Sequence, residues 1–129
     1  MSTALITEGI KISVLTQFQD MYSNAHQRNY AFSYKIRIEN TTENTVQLLR
    51  RHWYIFNGNG TLSEVEGEGV IGLQPIIEPG EFHEYVSGCN LPTPIGKMNG
   101  NYLMERLMDS KKFYVDIPQM DLVVPYLLN

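Results

Sequence analysis

Apolar and polar residues alternate with a period of two along most of this chain. Ile10, Ile12 and Val14 alternate with Lys11 and Ser13. Successive side chains of an extended strand point to opposite faces, so this pattern predicts strands with one buried face and one wet face. The clearest run spans 30–39. There Tyr30, Phe32, Tyr34, Ile36 and Ile38 form one face, and Ala31, Ser33, Lys35, Arg37 and Glu39 the other. A polar turn at 40–44 leads to a strand at 45–56, on which Leu49, Trp53 and Ile55 share a face. Asn57-Gly58-Asn59-Gly60 predicts a tight turn, because Asn and Gly accept the left-handed backbone of hairpin turns. Further strands are predicted at 61–66, at 81–87 after the Pro79-Gly80 break, at 101–108 and at 112–117. A tail begins near Asp121. The Gly- and Pro-containing segment 88–100 reads as a loop, and the polar segment 17–27 as a loop with at most a short turn.

About seven short strands separated by turns predict an all-β fold, an immunoglobulin- or fibronectin-III-like β-sandwich in one domain spanning residues 1–129. Trp53, in the third predicted strand, stands where such folds bury a tryptophan between the sheets. The segment Gly100-Asn101-Tyr102-Leu103-Met104 is expected to form a tyrosine corner at the start of the sixth strand. Met104 stands where antibody domains place a cysteine, so apolar packing replaces an inter-sheet disulfide.

Composition narrows the function classes. Of 129 residues, 43% are hydrophobic and 19% charged, which suits a folded core rather than a disordered chain. Fourteen acidic residues outnumber ten basic ones, a balance that argues against a dedicated nucleic-acid binder. Cys89 is the single cysteine, which excludes an intramolecular disulfide and points to a reduced thiol in the cytoplasm. The first eleven residues lack the basic and apolar runs of a secretory signal. The most apolar stretch, 122–128, is interrupted by Pro125 and falls far short of the roughly 20 residues that span a bilayer, so no membrane insertion is expected.

Several residues are candidates for chemistry. Gly67-Glu68-Gly69-Val70-Ile71-Gly72 satisfies G-x-G-x-x-G, but Pro75, Pro79 and Gly80 leave no room for the helix of a dinucleotide fold. The glycines then serve either tight backbone turns or a small anion nest built from amides. Arg50, Arg51 and Lys97 are the cations suited to a phosphate or acidic partner, although alternation sets Arg50 and Arg51 on opposite faces. His26, His52 and His83 lack metal-ligand spacing, so neither a metal nor a cofactor is expected. His52 is expected to be structural, hydrogen-bonded to backbone or a carboxylate. The separation of Cys89 from His83 does not predict a nucleophile and base, and no catalytic residue is assigned. Asn90, Thr93, Lys97 and Asn99 lie in the 88–100 segment, which serves either recognition or a stiff crossover.

The segments VQLLRRHWYIF (46–56), GEGVIGLQPIIEPGEFHEYVSG (67–88), TPIGKMNGNYLM (93–104) and FYVDIP (113–118) together resemble the ApaG family. The resemblance implies a bacterial protein with an immunoglobulin- or fibronectin-III-like sandwich, used elsewhere as an appended partner-binding domain. It also implies an association with cobalt and magnesium efflux, and with neighbours of a diadenosine-tetraphosphate hydrolase. The expected function is therefore a non-enzymatic module that binds a protein partner or a small anionic ligand. The alternative is binding or hydrolysis of a nucleotide pyrophosphate or dinucleoside polyphosphate at Gly67, Gly69 and Gly72 with Arg50, Arg51 and Lys97. The apolar tail 122–128 is expected to cover an edge strand or to join a second copy in a homodimer.

Overall fold

A computed structural model describes the backbone of residues 2–128 and the side chains of residues 3–126. Nine strands follow in order: β1 (Ser2–Thr7), β2 (Ile10–Phe18), β3 (Tyr30–Asn40), β4 (Val46–Asn57), β5 (Leu62–Glu68), β6 (Ile76–Ile77), β7 (Phe82–Leu91), β8 (Ile95–Arg106) and β9 (Lys111–Val123). They form two antiparallel sheets, one ordered β1-β2-β3-β7 and the other β5-β4-β8-β9, with β6 also paired to β4. This is the β-sandwich that the alternation predicts. Among the described residues the only helices are short 3-10 turns, and none is long and apolar enough to cross a membrane.

The period-two faces meet between the sheets. Ile10, Ile12, Val14, Phe32, Tyr34, Ile36 and Ile38 from one sheet face Val46, Leu48, Trp53, Tyr102, Met104 and Val115 from the other, all buried. Trp53 packs at 5.5 Å on Tyr34 across the sheets and at 6.4 Å on Tyr102 beside it. Asn40 is the buried polar side chain at the end of β3. Its amide donates to the carbonyls of Asn44 and Ile77, and its oxygen accepts from Thr42, so the 40–44 turn and β6 are held together. Removing a buried side chain with so many partners would strand each of them.

Five details depart from the sequence reading. The strand β1 precedes the first predicted one, joined by a two-residue turn in which Glu8 and Gly9 both adopt positive φ. That shift makes Trp53 a residue of the fourth strand. Leu49 does not share the face of Trp53, because a bulge between Leu48 and Arg50 inserts one residue and reverses the phase; Leu48 is buried in its place. The 88–100 segment is not a loop: β7 runs to Leu91 and β8 starts at Ile95, leaving only 92–94 between them. Gly100 lies within β8 because a Cβ there would meet the carbonyl oxygen of His52 at 2.0 Å, so the glycine marks close backbone approach and not a turn. Finally, Tyr102 is not a tyrosine corner. It lies in the middle of β8 and its hydroxyl meets that of Tyr85 on the opposite sheet.

Leu122 and Val124 of the apolar tail are buried in this chain's own core. The part of the expected tail contact that rests on Leu127 and Leu128 lies outside the described side chains.

Candidate functional site

The two long margins of the sandwich are built differently. On one margin, β9 packs against both β1 and β2, and the amide of Asp116 donates to Thr7 Oγ1. On the other, β5 and β7 end their sheets. Between these ends a cleft reaches down to Trp53. Val65 pairs with Trp53 and therefore points inward, yet it is 41% exposed. An inward-facing valine left this open marks a gap in the sandwich.

The cleft has two compartments that share Tyr34, Arg51, Trp53 and Ser87 as walls. One, of about 300 Å³, continues past Ile55, Val65 and Met98 to Cys89 and Asn90. The other, of about 160 Å³, continues to Tyr85 and to Val70, Ile71 and Gly72. Arg51 faces inward because it pairs with the buried Tyr102 across β8. Its Nη1 donates to the carbonyls of Glu68 and Gly69, each at 3.0 Å. Gly67 makes that position available, since a Cβ there would lie 2.9 Å from both terminal guanidinium nitrogens. Among the described residues no carboxylate lies within ion-pair distance of Arg51.

The glycine motif forms a tight turn at the end of β5. Val70 and Leu73 exchange reciprocal backbone hydrogen bonds of 2.7 and 3.0 Å around Ile71 and Gly72, both at positive φ. The Gly69 amide donates to Leu49, the bulged residue of β4, at 2.8 Å. The amides of Gly69, Val70 and Leu73 are thus committed to the backbone. A β-branched residue at positive φ, as Ile71 is, is unusual and is held here by the hydrogen bonds on either side.

Polar hydroxyls line the smaller compartment. Tyr85 and Tyr102 share a short hydrogen bond between their hydroxyls. Burial pushes the phenols of Tyr34, Tyr85 and Tyr102 up from their ordinary range, so all three keep their protons at neutral pH. Burial likewise pushes the Cys89 thiol up, which keeps it a neutral side chain and a poor nucleophile at neutral pH.

The sequence-predicted residues separate cleanly. Arg51, Gly67, Gly69 and Gly72 come together at the cleft. Arg50 and Lys97 lie on the outer face of the same sheet, where Lys97 sits 5.1 Å over the Phe56 ring. Thr93 is structural: it accepts from the Gly58 amide and donates to the Ile95 carbonyl, both at 2.7 Å. His52 stacks on Tyr54 and meets Glu66 at 2.9 Å on the outer face. Cys89 and His83, six residues apart on one strand, are about 20 Å apart at ~3.3 Å per residue. Among the described residues, no three His, Cys, Asp or Glu side chains gather to hold a metal ion. The residues that sequence reasoning missed are Tyr34, Tyr85 and Ser87. Their signal was present as polar-tipped side chains recurring at inward positions of β3 and β7.

Comparison with known proteins adds a family. Residues 20–106 match the ApaG domain model. Protein ApaG of Methylocella silvestris is 46% identical over 123 residues, covering 94% of this chain and 92% of that protein. Protein ApaG of Anaeromyxobacter dehalogenans is 46% identical over 129 residues, covering all of both chains. A crystal structure from Bordetella pertussis, 40% identical, superposes with a TM-score of 0.86 over 90% of this chain and 94% of that one.

Proposed function

Because the chain belongs to the ApaG domain family, we propose that it is a non-enzymatic binding module whose recognition site is the open margin between β5 and β7. The observation that carries this reading is Arg51: a guanidinium on the inner face of a sandwich, beside a cleft, without a carboxylate partner among the described residues. Arg51 is half-buried and its Nη1 is taken up by two carbonyls, which leaves its remaining N–H donors to an anionic group in the cleft. Two terminal strand edges flank the cleft, and an exposed strand edge is a template for an extended segment of another protein. A protein partner is therefore the favoured occupant. A cytoplasmic location fits the lone thiol, and any effect on cobalt or magnesium resistance would pass through that partner.

The test is affinity capture from the native organism with three baits. The wild-type chain and Lys97→Ala, altered on the outer face, are expected to retain the same protein. Val65→Arg, which fills the cleft, is expected to lose it. Equal retention by all three would remove the margin as the recognition site.

A second reading has one observation in its favour: Arg51 and Gly72 line the same compartment. In that reading the cleft binds or hydrolyses a nucleotide pyrophosphate or dinucleoside polyphosphate. Incubation with diadenosine tetraphosphate, with and without a divalent metal, decides it; turnover would replace the non-enzymatic reading.

A further inference from the structure

We propose that the open margin recognises a single carboxylate carried on an apolar stem, with the carboxylate against Arg51 and the stem lying over Trp53 and Val65. This rests on the reading of that margin as the recognition site, and adds the chemistry of what it takes.

Charge comes first. Arg51 is the cation common to both compartments. Its planar fork matches one carboxylate in size and charge. A pyrophosphate group carries at least two charges near neutral pH and calls for a second cation. Arg50 and Lys97 are the nearest candidates along the chain, and both point to the other face of the sheet. The alternate positions Glu64, Glu66 and Glu68 of β5 point to that other face as well, opposite Tyr54, His52 and Arg50, and add no charge to the cleft.

The hydroxyls give a second argument. Tyr102 is fully buried, and its oxygen meets the Tyr85 oxygen. Buried donors are almost always paired. The acceptor in reach of Tyr102 is Tyr85, so Tyr102 donates and Tyr85 accepts. Tyr85 stands at the wall of the smaller compartment and keeps its own hydrogen for another acceptor. A ligand oxygen near Arg51 would thus meet a cation and a neutral O–H donor, a pairing suited to a carboxylate.

The third argument is the division of the cleft. Arg51 and Ser87 line both compartments; Tyr85 adds its hydroxyl to the smaller one, and Ile55, Val65 and Met98 add an apolar wall to the larger, beside Cys89 and Asn90. An anionic head and an apolar body would each find a matching wall. Such a carboxylate is available from a Glu or Asp side chain of a partner or from a free organic acid. The two sources share this chemistry and differ in what surrounds it.

The probes are phenylacetate, the blocked peptide acetyl-Val-Thr-Val-Glu-Val-amide, their neutral amide counterparts and inorganic pyrophosphate. Binding is read from the Trp53 indole and Arg51 Nε resonances of the intact chain. Both carboxylates are expected to shift these signals saturably, with the amides at least tenfold weaker and pyrophosphate unable to displace the carboxylate. The tighter of the two carboxylates identifies the source. Arg51→Gln is expected to weaken carboxylate binding at least tenfold; if that variant does not fold, the wild-type contrast between acid and amide decides alone. Amides binding as well as acids would overturn the carboxylate while leaving the margin as a site for apolar segments. Pyrophosphate binding more tightly than either acid at Arg51, or silence from every probe, would also overturn it. The capture result with Val65→Arg separately decides whether the margin is the recognition site.

Discussion

The two margins of this sandwich use the same inward-facing positions for opposite ends. Where β9 meets β1 and β2, those positions hold Ile12, Val115 and Leu122, each with no exposed surface, and the margin opens at the end where Thr16, Phe18, Asp121 and Val123 line a separate cavity. Where β5 and β7 end the sheets, they hold Val65, Arg51, Tyr85, Ser87 and Cys89, with a cleft between them. Apolar side chains seal a margin because burying them removes surface from water. Hydroxyls and a guanidinium keep a margin open, since closing over them would strand polar groups. The difference separates a region that stabilises the fold from one available to a guest.

The largest expected effect tests that separation directly. Ile12→Ala, on the sealed margin, is expected to cost about 2–5 kcal/mol of stability, the range for truncating a buried Ile. Val65→Ala, on the open margin, is expected to cost well under half as much, since its side chain is already half in water. Urea unfolding of both variants checks the contrast. Equal losses would mean that the open margin is closed in solution.

Next in size are the glycines of the turn that borders the open margin. Gly72 has φ +73° with free space around it, so Gly72→Ala is expected to cost about 1–2 kcal/mol for the left-handed backbone alone. Gly69 has φ +62° and an added Cβ would lie 2.0 Å from the Leu73 carbonyl oxygen, so Gly69→Ala is expected to cost more. Thermal unfolding of the two variants measures the gap. Unchanged melting with abolished pyrophosphate binding would instead make these glycines part of an anion site.

A smaller effect is confined to high pH. The phenols of Tyr34, Tyr85 and Tyr102 are raised by burial from the ordinary value of 10.0. Below that value both folded and unfolded chains keep these protons, and the contribution to stability is complete. Above it the unfolded chain ionises first, so stability falls as the pH climbs toward the folded values. Urea midpoints measured from about pH 9 upward are expected to decline, and Tyr34→Phe is expected to soften the slope.

How much of this was legible in the chain depends on what neighbours do to the alternation. The 30–39 strand was readable because its apolar and polar faces never change phase, although Ala31, expected on the wet face, is buried. Leu49 was not, since a bulge is a one-residue event that period-two counting passes over. The 88–100 glycines read as a loop because a glycine that admits a neighbouring carbonyl looks the same, in one dimension, as a glycine that turns the chain. At the cleft, Arg51 and the glycine motif could be named from residue type. Their meeting could not, because it depends on the guanidinium lying across Gly67 to reach two carbonyls of β5 and its turn. Tyr34 passed as an ordinary core residue and Tyr85 was not singled out within the 81–87 strand, since an inward tyrosine announces its hydroxyl only once the opposite sheet is placed.

The central claim, that recognition happens at the open margin, can be tested on the unmutated chain through its single thiol. Cys89 lines the larger compartment of the cleft. The chain is alkylated at Cys89 with N-ethylmaleimide under mildly alkaline conditions, its fold is verified by circular dichroism, and it is used beside untreated protein to capture partners. The account predicts that the untreated chain retains a partner and that the alkylated, folded chain has lost it. Equal retention by the two would contradict it and move recognition to another surface.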